Sequence, residues 1–180
     1  MQIAINFILF QVGWLACVMS VARQMEWLAM ISIGAAISIH LLLVKDRRPE
    51  IQLILVAGMI GLLLDSTLIS LGVFVPTNNL NYPGLAPLWL VGLWMLFSIT
   101  INHSLRWLHR RYILASLTGF IFAPVAYIAG QKLGALHFPQ DQSTLISLMI
   151  IGACWLVVTP LLLLSSRYFC SRNFHRRLTC

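Results

Sequence analysis

Charge is the scarcest property of this chain. Lys, Arg, Asp and Glu make up 9% of 180 residues, and only five residues are acidic. Soluble domains carry about 25%. A water-soluble globule is therefore excluded, because its surface could not be clothed in polar groups. Intrinsic disorder is excluded too, since it requires low hydrophobicity and high charge. Catalytic signatures are missing as well: there is no G-x-S-x-G, H-E-x-x-H, phosphate-binding loop or dinucleotide fingerprint, and no D-x-x-D acid pair. No cofactor is implied, and the missing motifs lean against an enzyme without deciding the question. The four cysteines, Cys17, Cys154, Cys170 and Cys180, form no C-x-x-C pair. They support neither a disulfide framework nor a zinc site.

What the chain has instead is apolar length. Hydrophobic residues make up 59%, and the mean hydropathy is +0.88. A helix needs about 20 residues to cross a hydrocarbon core of roughly 30 Å. The apolar runs are continuous rather than alternating, which favours helices over barrel strands. Six spans are expected, near residues 5–22, 27–44, 51–75, 85–105, 112–130 and 144–166. The fold class is thus an all-α polytopic bundle forming one integral-membrane domain. Met1–Ala4 holds no basic stretch, so the first span is expected to be retained rather than cleaved as a signal.

The cations set the orientation. Lys45, Arg47, Arg48, Arg106, Arg110, Arg111, Arg167, Arg172, Arg176 and Arg177 share one side of a six-span chain, and only Arg23 and Lys132 fall on the other. That bias places both termini in the cytoplasm. The net charge of +7 is a topology signal and not a nucleic-acid patch, because the cations flank apolar runs. Trp27, Tyr82 and Trp89 are expected at the outer boundary, and Trp107, Tyr112 and Tyr168 at the inner one. The uncharged segment Pro76–Pro87, with three prolines and three asparagines, reads as an outer loop or a short re-entrant piece.

Asp65 is the informative polar residue. It lies well inside the third span, where an Asp costs about 2.5–3.5 kcal/mol to insert. Gly58, Gly61, Asp65 and Gly72 follow one another at helical spacing. They mark a small-residue face that would turn Asp65 toward protein. Gln11, Trp14, Trp94 and Tyr127 lie at depths from which they could meet it, and Tyr127 follows Pro124, which should kink its helix. A second candidate cluster, His40, Asn102 and His103, lies toward the cytoplasmic side. The two histidines follow no metal-ligand spacing and have no carboxylate at helical spacing, so no metal site is read there.

Several stretches together resemble a bacterial inner-membrane family of unknown function. They are Asn6–Cys17, around Phe10-Gln11-Val12-Gly13-Trp14; Leu63-Leu64-Asp65-Ser66; Pro83–Trp94; Asn102–Leu108; and Pro124–Ala135. The chain departs from the family pattern at Phe122-Ala123, where a glycine pair is expected. The resemblance implies lipid handling, with membrane lipids and cytoplasmic lipid-modifying enzymes, such as cyclopropane-synthase-like methyltransferases, as partners. It supplies no catalytic residues. Three functions stay open: binding of a lipid or hydrophobic small molecule, or anchoring of such enzymes; a small proton-coupled carrier using Asp65; and an intramembrane lipid-modifying enzyme.

Overall fold

The computed structural model describes residues 2–77, 84–139 and 143–178, with residues 173–178 described as helical backbone only. Among the described residues the chain forms six helices: α1 (Gln2–Ala22), α2 (Glu26–Leu43), α3 (Arg47–Ser70), α4 (Leu88–Ser98), α5 (Tyr112–Leu133) and α6 (Thr144–Leu178). All but α4 are long and apolar enough to cross a membrane. Their outer faces carry large exposed apolar side chains, including Phe7, Leu42, Met59, Leu63, Ile113, Phe122 and Val157. On a soluble protein such a surface would drive aggregation; in lipid it is the appropriate one.

Local chemistry sets the helix ends. Pro49 occupies the first turn of α3, where its missing N–H is not needed. α5 closes on Gly134 in the left-handed region (φ 87°), with the Ala135 N–H donating to the Gly130 carbonyl. The fourth apolar run departs from expectation. Its helix has 11 residues, about 16 Å long, and is not a continuous span over 85–105. It stops where the Ser98 and Thr100 hydroxyls donate to the Met95 and Phe97 carbonyls, each at 2.7 Å. Such bonds compete with helix continuation. The chain then runs through turns over 99–105 and a short 3-10 segment, Arg106–Leu108. Ile99, Thr100 and Ile101 are buried there, so this irregular backbone is shielded by protein, the condition under which it is tolerated at membrane depth.

Other boundaries shift as well. α3 ends at Ser70, five residues short of the expected span. Gly72 lies beyond it in a turn at φ 69° with open space around it, so it is not part of the small-residue face. α6 continues as helix to Leu178, well past 166. Within the outer segment, Val75–Pro76 (β1) pairs antiparallel with Leu136–His137 (β2), and the Thr77 N–H donates to the Ala135 carbonyl. Residues 78–83 of that segment, including Tyr82, lie outside the described residues, as do Cys180 and the side chains of Arg176 and Arg177. Trp27, Trp107 and Tyr168 are exposed, but Trp89 is 2% exposed. It packs inside the bundle and does not belong to an interfacial belt.

Close helix packing uses glycine. An added Cβ at Gly61 would stand 2.1 Å from Trp94 Cγ, and one at Gly58 2.9 Å from Met95. α3 and α4 therefore meet nearly backbone to ring. α5 meets α6 through Gly119, against Thr159 and the Trp155 carbonyl, and through Gly152, 2.9 Å from the Phe120 carbonyl. Phe120 is four residues before Pro124, so its carbonyl lacks a helical donor, and the neighbouring helix covers it. The approach near Pro124 thus rests on these two glycines, while Phe122 points outward.

Gly61→Ala is expected to lower stability by about 1–3 kcal/mol, because the indole it displaces is not free to move. Gly34→Ala, with nothing within 4 Å, serves as the control and should leave the thermal midpoint in detergent unchanged or higher.

Candidate functional site

Among the described residues, two polar centres lie inside the bundle. The first is Asp65 on α3, 0% exposed. Trp94 Nε1 on α4 donates to Asp65 Oδ2 at 2.7 Å, and the Tyr127 hydroxyl on α5 donates to Oδ1 at 2.7 Å. One carboxyl group thus joins three helices. Both donors are held by rings. Trp94 lies between Gly61 and Trp155, whose indole stacks on it at 4.4 Å and 19°. Tyr127 meets Phe74 edge-on at 5.1 Å.

Beside this centre is a cavity of about 110 Å³, lined among others by Phe10, Trp14, Trp89, Trp94, Ala126, Tyr127, Gly130 and Trp155. Its wall is almost wholly apolar. Of the residues expected around Asp65, Trp94 and Tyr127 bind it directly and Trp14 lines the adjoining cavity. Gln11 does not join them: it is exposed on the outside of α1. The few polar residues of that helix do not share a face, so no periodicity marked its inward side.

The second centre gathers the predicted His40, Asn102 and His103 around a residue that sequence reasoning left out, Glu50. The Glu50 side chain is 7% exposed. His40 Nε2 lies 3.2 Å from Oε2, and His103 Nε2 lies 3.5 Å from Oε1. Asn102 Nδ2 donates to Oε1 at 2.9 Å, and the Ser166 hydroxyl of α6 donates to Asn102 Oδ1. Asn6 of α1 completes the group: its amide donates to the Ile99 carbonyl at 3.0 Å and accepts from the Ser104 hydroxyl at 2.9 Å. The histidines thus share a carboxylate, although none stands at helical spacing from either of them in the chain. Glu50 follows His40 by ten residues, around a turn and in the first turn of the next helix, where no within-helix spacing test reaches. Its only available signal was an acid beside Pro49 at a helix start.

Nearby, His109 binds the Ile101 carbonyl through Nε2 at 3.1 Å and so braces the irregular segment. Burial holds its pKa below the ordinary histidine value; the Ile101 bond acts the other way, and Arg106 and Arg167 lower it further. A lowered folded-state pKa means that neutral His109 contributes stability above the unfolded value, which is lost as pH falls through the folded one. His109→Gln should therefore flatten the acid limb of a stability–pH profile measured in detergent. For the Asp65 centre, Trp94→Phe keeps a ring but leaves one carboxyl oxygen without a donor, at a cost of about 1–3 kcal/mol. In an Asp65→Leu background the same change should cost little, and a double-mutant cycle of thermal midpoints measures the difference.

No curated protein and no solved structure matches the chain. A family profile does, over residues 3–161, and covers α1 to α5 and about the first half of α6. The chain therefore belongs to the family described as a protein of unknown function, DUF2878.

Proposed function

We propose that this is a bacterial inner-membrane protein, crossing six times with both termini cytoplasmic, that binds a lipid chain or a similar hydrophobic small molecule in the aromatic cavity beside Asp65. The observation that carries the reading is the cavity itself: its Trp94 and Tyr127 walls are locked from behind by one buried carboxyl group. Rings fixed in this way form a preorganised apolar slot, the commonest design of a small-molecule site. At about 110 Å³, it is a little smaller than the roughly 150 Å³ apolar cavity that admits benzene. It would take a chain end or a small ring and leave any polar head outside.

Six crossings are supported by how the ends meet. The starts of α1, α3 and α5 and the ends of α2 and α4 gather with α6 around Asn6, His40, Glu50, Asn102, Tyr112 and Arg167. The ends of α3 and α5 meet at the β1–β2 pair. The cations Lys45, Arg47, Arg48, Arg106, Arg110 and Arg111 flank the first of these ends, which is the side the positive-inside rule assigns to the cytoplasm. That basic end also suits anionic lipid heads, at about 1 kcal/mol per Lys or Arg, and is where lipid-modifying enzymes would be anchored. Binding is preferred to proton-coupled carriage because Asp65 is 0% exposed and both of its oxygens are engaged. A carrier would need that group to meet water from each side in turn.

A photoactivatable fatty acid in proteoliposomes tests the reading. Labelling is expected on peptides containing Trp14 and Tyr127, besides the lipid-facing peptides around Leu88 and Ile113. Ala126→Trp, at the cavity wall, should abolish the inner labels and spare the outer ones. Equal loss at all four places, or none, would refute the site.

A further inference from the structure

We propose that His40, Glu50 and His103 form a binding site for one divalent first-row transition ion, with Zn²⁺ as the probe. The site is separate from the aromatic cavity: Glu50 and Asp65 are fifteen residues apart on α3, about 22 Å along its axis. The donor set is two imidazoles and a carboxylate, the combination that holds catalytic zinc with a further position open to water or an anionic oxygen. Ligand atoms about 2.0–2.1 Å from a zinc ion stand roughly 3.3 Å from one another around a tetrahedron. His40 and His103 stand 3.2 and 3.5 Å from the Glu50 oxygens, and the three ligand atoms all lie within 4.8 Å of one another. The two rings are edge-on, with centroids 5.0 Å apart, so each turns Nε2 to the same carboxylate.

His103 Nε2 is buried and its approach to Glu50 Oε1, at 3.5 Å, is too long for a good hydrogen bond. A lone pair or N–H in that state is costly, and a metal bond would resolve it. The His103 side chain is otherwise 25% exposed, which gives an ion a way in. Outer contacts already orient the carboxylate, through Asn102 and Ser166. Ligation of His40 through Nε2 places the ring proton on Nδ1, which faces the Asn6 amide nitrogen at 3.4 Å.

The ligands come from the end of α2, the start of α3 and the irregular segment after α4. A bound ion would thus tie together three elements that the backbone leaves unconnected by ladders. The experiment uses the full chain in detergent, with its affinity tag removed and its metal stripped by chelator, then titrated with Zn²⁺ and with Co²⁺ as a spectroscopic stand-in. Expected are one ion per chain by elemental analysis, visible Co²⁺ absorption of low-coordinate character, and a thermal midpoint raised by Zn²⁺. His103→Ala removes a partly exposed ring that touches Glu50 only at 3.5 Å, so it should fold and yet weaken binding at least about tenfold. Glu50→Gln keeps the shape of the side chain but removes the anionic ligand, and should weaken binding as well. Failure of the native chain to bind, or affinity unmoved by both variants, would overturn the proposal and leave the cluster as a hydrogen-bonded ion pair.

Discussion

A carboxyl group inside an apolar bundle is tolerable only if its oxygens are given donors. Much of this structure follows from meeting that requirement at Asp65. Its two donors come from two different helices, α4 and α5, so satisfying the acid also fixes how α3, α4 and α5 sit. Gly61 lets the Trp94 ring approach closely enough to donate, and Trp155 covers the ring's other face. The apolar driving force that assembles soluble cores is weak between helices in lipid. Interhelical hydrogen bonds and small-residue contacts then carry a larger share of the specificity, and here both kinds converge on one side chain.

The two polar centres divide the bundle by depth. The Asp65 centre is built from rings and a single acid, and it leaves an apolar hollow beside it. The Glu50 centre is built from amides, hydroxyls and imidazoles. It is held partly by backbone that has left the helix, over residues 99–105. Irregular backbone supplies carbonyls and N–H groups that a regular helix would have consumed, and Ile99 and Ser104 use theirs on Asn6. The shortness of α4 and the richness of the second centre are therefore one fact seen from two sides.

Most of the architecture was legible in the chain, since continuous apolar runs have few structural solutions in lipid. Asp65 was legible through its cost, Trp94 through an indole N–H that needs an acceptor at the same depth, and Tyr127 through its position after Pro124. Gln11 was misplaced because the few polar residues of α1, Asn6 and Gln11 among them, lie on different faces, and a helix with no single polar face gives no phase. The end of α4 was missed because Ser98 and Thr100 are tolerated in membrane helices when their hydroxyls bond backward. Only tertiary packing decides whether the helix then continues. Glu50 was passed over because it follows a run of cations, where an acid reads as surface charge. Its burial depends on α6 and the irregular segment folding across it.

The β1–β2 pair has a consequence for assembly. It joins residues 75–76 to 136–137 by main-chain bonds, so everything between them, α4 and α5 included, forms a closed loop once the pair has formed. During synthesis, then, the end of the third helix cannot be fastened in this way until the fifth has been made, because the second strand follows α5 in the chain.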